Sequence, residues 1–157
     1  MTAAPPIRLM APVALAVIVA IGDLVEAAIA WSAYHTRTGT TAPGTSSWAA
    51  IYVFGLEAAA GALILLLAAV AAGRWPAVAG AAAGLAWLRL LAVGVTALLM
   101  LFHVGFDGPF DGSDAFVMVL ALIDALAGAL ICSVIASRTR LRLSAQPPVD
   151  GRDRPSR

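Results

Sequence analysis

Residues 54–80 read FGLEAAAGALILLLAAVAAGRWPAVAG. After Glu57 the stretch carries no charge until Arg74, and its apolar residues neither alternate nor stop at strand length. Such a run is read as helix rather than barrel strand. It breaks at Gly73-Arg74 and resumes at Pro76, a residue tolerated in the first turn of a new helix. The reading is the end of one bilayer-crossing helix, a tight turn, and the start of the next.

Working outward, three further runs reach the ~20 apolar residues needed to cross about 30 Å of hydrocarbon. The spans are predicted at about 10–34, 48–72, 75–102 and 115–137. The expected fold class is all-α, an integral membrane four-helix bundle comprising residues 1–137, followed by a disordered, arginine-rich tail over 138–157. Composition agrees. Of 157 residues, 61% are hydrophobic and 12% charged, whereas soluble domains average roughly 45–50% apolar and about 25% charged. The net charge of +1, with no basic run among aromatics, argues against nucleic acid as a partner. Cys132 is the single cysteine and lies in an apolar run, so it is expected to be buried packing and no intramolecular disulfide forms.

Arginine placement predicts the orientation. Arg8, Arg74 and the tail arginines from Arg138 onward fall on one side, and Arg37 alone lies in a connection on the other. The positive-inside rule then puts both termini and the second connection in the cytoplasm. Trp31, Tyr34, Trp48 and Tyr52 cluster at the opposite boundary and Trp75 at the cytoplasmic one, as an aromatic belt would. Ala28-Ile29-Ala30 offers a rival reading, a signal-peptide cleavage site. The whole first segment is long enough to span uncut, and the uncut helix is the expectation adopted.

The spans contain Asp23 and Glu26 in the first, Glu57 in the second, Arg89 in the third and Asp124 in the fourth. Charge at the bilayer centre costs about 2.5–3.5 kcal/mol per residue on insertion scales, so such residues face a bundle interior and mark function by default. Ala16, Val19, Asp23, Glu26 and Ala30 follow one helical stripe, as do Arg89, Thr96 and His103, and Val117, Ala121, Asp124 and Gly128. Gly61 lies one turn after Glu57, and Gly80-xxx-Gly84 is a candidate close helix contact. Four carboxylates face one guanidinium. Burial beside like charges favours neutral acids, so one or two are expected to hold protons while Arg89 pairs bidentately with Asp23 or Asp124. Glu57 is the acid expected to be least tied to Arg89.

An ionised acid beside neutral ones suits acid–base chemistry or proton exchange. Asp23, Glu57, Arg89 and Asp124 are therefore the expected catalytic residues, with Glu26, Thr96 and His103 as substrate-binding residues. The rival is a structural ion pair that fixes helix register, which needs one acid rather than four. No nucleotide motif, nucleophile elbow, haem motif or HExxH occurs, and no cofactor is expected. Asp107, Asp111 and Asp114 fail the calcium-loop pattern, since Pro109 and Met118 occupy its third and twelfth positions. No metal site is expected, and Asp111, Ser113 or Asp114 is read as a cap of the fourth helix.

The stretch Phe54 to Gly80 resembles the DoxX-like group of small four-helix bacterial membrane proteins. It carries an early Glu followed by a glycine, an apolar run, a short turn with arginine, and a following helix. The resemblance implies a four-helix membrane bundle in a bacterial inner membrane, Glu57 as a site residue, and a link to quinone-connected oxidoreductases. The first helix offers Gly22-Asp23 where that pattern has a glycine and a basic residue. Three functions follow as expectations. The first is binding and transformation (hydrolysis, isomerisation or cyclisation) of a lipophilic small molecule. The others are an accessory role in a membrane redox complex and proton-coupled transport, in which a homo-oligomer would supply a wider path.

Overall fold

A computed structural model describes residues 9–37, 46–102 and 112–145, with side chains placed over 9–32, 55–102 and 116–145. Four helices form: α1 (Met10–Arg37), α2 (Ser46–Ala71), α3 (Pro76–Leu101) and α4 (Gly112–Ser144). Met10–Ser32, Pro76–Leu101 and Phe116–Ser144 are each long and apolar enough to cross a membrane, and Gly55–Ala71 is a shorter apolar segment.

α1 packs most extensively on α2 and α3 on α4; α2 also meets α3 and α4, and α4 meets α1. Among the described residues α1 and α3 make no close backbone approach, so they stand at opposite corners. One end of the bundle, the hairpin end, carries the α2–α3 turn. There Gly73 adopts φ +73°, a left-handed conformation that favours glycine, and reverses the chain. The Gly73 N–H donates to Thr139 Oγ1 of α4 at 3.0 Å, and Thr139 is fully buried. Pro76 then opens α3 as the sequence predicts.

The packing is inverted relative to a water-soluble bundle. Its centre is mostly alanine: Ala16 and Ala20 of α1, Ala62 and Ala68 of α2, Ala82 and Ala86 of α3, and Ala129 of α4, joined by Leu65, Cys132 and Ile135. The large side chains point outward, among them Leu15, Ile18, Leu63, Leu88, Leu91, Ile123 and Leu130. Small residues let the helix backbones approach closely. Cys132 lies fully buried in this core.

Three readings are corrected. α4 does not stop at residue 137: Arg138 to Ser144 continue it, and residues 146–157 lie outside the described region. The arginines suggested a solvated tail, but 138–144 contain no helix breaker, and Thr139 anchors this segment to the α2–α3 turn. Gly80-xxx-Gly84 does not form a helix contact. Gly84 is exposed with open space beside it, and Gly80 instead faces Arg140. Ser113 and Asp114 lie inside α4 and so cannot precede it as its cap, while Asp111 is outside the described residues. Trp31 and Trp75 are both more than half exposed, as belt residues would be; the side chains of Tyr34, Trp48 and Tyr52 are not among those described.

Candidate functional site

At 1.5 Å rise per residue, Asp23, Glu57, Arg89 and Asp124 each lie roughly 20 Å along their helices from the hairpin end. The reference points are Met10, Ala71, Pro76 and Thr139 respectively. One residue from each helix therefore reaches the same level, and the side chains meet.

Arg89 is the hub. Its Nη2 donates a hydrogen bond of 3.0 Å to Asp124 Oδ2. Its Nε lies 3.5 Å from Glu57 Oε2, and its Nη1 lies 3.8 Å from Asp23 Oδ2. Three nitrogens of one guanidinium thus face three carboxylates from the three other helices. The expected bidentate pair is absent, because each acid arrives from a different direction and takes a different nitrogen. The expectation that Glu57 stands apart from Arg89 is likewise corrected.

Burial grades the three acids. The Arg89 and Asp23 side chains are 8% and 3% exposed, against 25% for Glu57 and 27% for Asp124. Asp23 Oδ2 and Arg89 Nε have no hydrogen-bond partner, although both are buried. A buried polar atom left in that condition costs about 1–3 kcal/mol, so the hub is an under-satisfied network. If all four groups were ionised, the hub would carry an excess of two negative charges.

Glycine makes room for the hub. A Cβ on Gly61 would overlap the Arg89 guanidinium and come within 2.5 Å of Asp23 Oδ2. The bare α2 backbone is what lets the Arg89 head lie between α2 and the α1 acid. Gly128 of α4 borders Nη1 more loosely, at 3.9 Å from its would-be Cβ. Beside the guanidinium a narrow crevice runs between α2, α3 and α4, lined by Gly61, Leu65, Ala86, Arg89, Ala125 and Gly128. At no point is it wide enough to hold a water molecule.

The remaining expected site residues divide. Glu26 is exposed and makes no ion pair with the hub, so it does not share the buried face of Asp23. The buried line of α1 runs through Pro12, Ala16, Ala20 and Asp23, and its next step falls at Ala27. Glu26 is a sixth of a turn away from Asp23 and off that line. Thr96 is half-buried two turns beyond Arg89 and has no hydrogen bond to the hub. His103 lies outside the described residues. Among the described residues no group of His, Cys, Asp and Glu side chains could hold a metal ion.

Sequence reading missed the positional roles of Thr139, Arg140 and Arg142. It also missed the hydrogen bond from Trp87 Nε1 to Ser133 Oγ, 3.0 Å, which ties α3 to α4 on the hairpin side of the hub. Compared with protein-family models, with curated proteins and with solved structures, the chain matches none of them.

Proposed function

We propose that this chain is an integral membrane protein whose Arg89 hub binds a lipophilic small molecule and transforms it by proton transfer. All four helices cross the bilayer in this reading, with both termini cytoplasmic. The large aliphatic exterior around an alanine core supports lipid as the surrounding solvent. The location is a bacterial inner membrane, as the DoxX-like resemblance of residues 54–80 implies.

One observation carries the chemical reading: a single buried guanidinium shared by three carboxylates, with two buried polar atoms left unbonded. An ion pair that only fixes register needs one acid and closes its hydrogen bonds. Here one acid anchors Arg89, and the surplus acids can hold and pass a proton. Glu57 and Asp124, each a quarter exposed, are the groups a ligand can reach. A neutral carboxylic acid gives its proton to the bound molecule and an ionised neighbour takes one back, which serves isomerisation, cyclisation or addition of water. Arg89 holds the neighbour ionised and can face charge that develops on the ligand.

A second reading, an accessory subunit of a membrane redox complex, is favoured by one feature: the crevice that Arg89 lines between α2, α3 and α4 is too narrow for a water molecule. Organic extracts of protein purified in mild detergent separate the two. Wild type should retain one lipophilic species at near-stoichiometric amounts, and Glu57→Gln, with the fold kept, should retain at least tenfold less. Equal retention by both proteins, or no enriched species in either, would remove the binding reading and leave the accessory role.

A further inference from the structure

At the hairpin end, about 20 Å from the hub, Arg74, Arg140 and Arg142 are all exposed. None of the three makes an ion pair among the described residues, and no carboxylate among those residues lies at this end. Two of the heads nevertheless lie back against the bundle. Arg140 Nη2 lies 2.9 Å from the point where a Cβ on Gly80 would stand, and Arg142 Nη1 lies 3.2 Å from the corresponding point on Gly73. Both glycines thus leave room for a guanidinium against the backbone of the α2–α3 hairpin.

The two heads bracket the first turn of α3 in sequence, since Gly73 precedes it and Gly80 follows it. That turn has no side-chain cap: Trp75 occupies the N-cap position without such a bond, and Pro76 follows. The positive end of the α3 dipole therefore adds to the guanidinium charge. Arg74 sits in the same turn, and exposed Trp75 presents the amphipathic ring that settles at headgroup level. Thr139 holds the arrangement in place, because its hydroxyl accepts the Gly73 N–H and so fixes α4 against the turn. Unlike a solvated arginine tail, this part of α4 is folded.

We propose that the α2–α3 turn, with Arg74, Arg140 and Arg142, is a binding site for the phosphate headgroup of an anionic phospholipid. Guanidinium forks match phosphate oxygens bidentately, and basic side chains close to a membrane surface attract anionic lipid. A lipid is favoured over a free anion because the same residues lie beside the exposed Leu141 and Trp75, along which acyl chains can run. The inference rests on the membrane placement proposed above and is independent of the chemistry of the hub.

The full chain, purified in neutral detergent, is mixed with equal phosphatidylglycerol and phosphatidylcholine, and the retained lipid is measured by native mass spectrometry. Wild type should hold phosphatidylglycerol about tenfold over phosphatidylcholine, and Arg140→Gln/Arg142→Gln should lose that preference. Melting in phosphatidylcholine alone checks that the variant is folded; if it is not, Arg74→Gln, at an exposed position of the turn, should lower the preference about threefold. Equal retention of both lipids by wild type, or an unchanged preference in a folded variant, overturns the proposal. Millimolar inorganic phosphate stabilising the protein as much as phosphatidylglycerol does would also overturn it, in favour of a free anion. Glu57→Gln should keep the lipid preference, so failure of the hub reading and failure of this one are told apart. Carbonate extraction of membranes tests the shared placement separately.

Discussion

Gly61→Ala is the smallest change that should break the hub. The added methyl overlaps the Arg89 guanidinium and Asp23 Oδ2, so the arginine head must leave or α2 must back away. Helix propensity alone favours alanine by about 1 kcal/mol. Against this, displacing Arg89 strands the Asp23 carboxylate, 3% exposed, without its cation. Breaking a buried pair in that way costs about 3–5 kcal/mol. The net expectation is a loss of about 2–4 kcal/mol. Gly84→Ala and Gly94→Ala are the controls, since a Cβ at either meets nothing within 4 Å and only the gain of up to about 1 kcal/mol remains. Unfolding in mixed micelles, followed by tryptophan fluorescence, gives all three values. In an Arg89→Ala background the overlap with the guanidinium disappears and only the approach to Asp23 Oδ2 remains, so Gly61→Ala should cost less there than in wild type. A Gly61→Ala protein as stable as wild type would refute the seating of Arg89 against α2. So would an equal loss in both backgrounds, which would trace the damage to helix spacing alone.

The acids should also differ among themselves. Arg89→Ala should destabilise the bundle by about 3–5 kcal/mol. Adding Asp23→Asn should recover more of that loss than Glu57→Gln or Asp124→Asn, because the last two acids are a quarter exposed. Equal recovery by all three would mean that burial does not set the cost. For the orientation, reporter fusions after Gly73 and after Arg142 should read as cytoplasmic and fusions at Gly44 and Gly112 as external, and a cytoplasmic Gly112 would overturn the assignment.

Much of the bundle was legible because run length alone locates apolar helices, and a charge inside such a run must find a partner. That logic brought Asp23, Glu57, Arg89 and Asp124 together from four separate helices. It also flagged Gly61 beside Glu57, though not its purpose, since the approach of a side chain from another helix leaves no trace in local spacing. Glu26 misled for a physical reason. Positions three apart share a broad face, but the buried line of α1 is narrow and has moved on by that turn. The end of α4 misled because charge marks where an apolar run stops and says nothing about where the helix stops. Arg138 to Ser144 stay helical because Thr139 has a backbone partner in a distant turn.

The placement of Arg89 explains why the surplus acids collect where they do. The helices pack as two close pairs, α1 with α2 and α3 with α4, and the hub lies on the seam between them. Arg89 is bonded within its own pair, donating to Asp124 at 3.0 Å. Across the seam it reaches Glu57 and Asp23 only at 3.5 and 3.8 Å, distances of charge attraction without a hydrogen bond to either. α1 and α3 are too far apart for short side chains to meet, so the long arginine stem is what brings a cation to Asp23. The seam is therefore held at this level by electrostatics rather than by directed bonds. Long-range attraction tolerates small changes in spacing, whereas a 3.0 Å bond does not. Glu57, a quarter exposed, is the acid across the seam that a ligand would reach, while Asp23, 3% exposed, stays covered. Protonating either acid across the seam weakens the attraction that closes it, so the closure of the seam at this level depends on the charge state of Glu57 and Asp23.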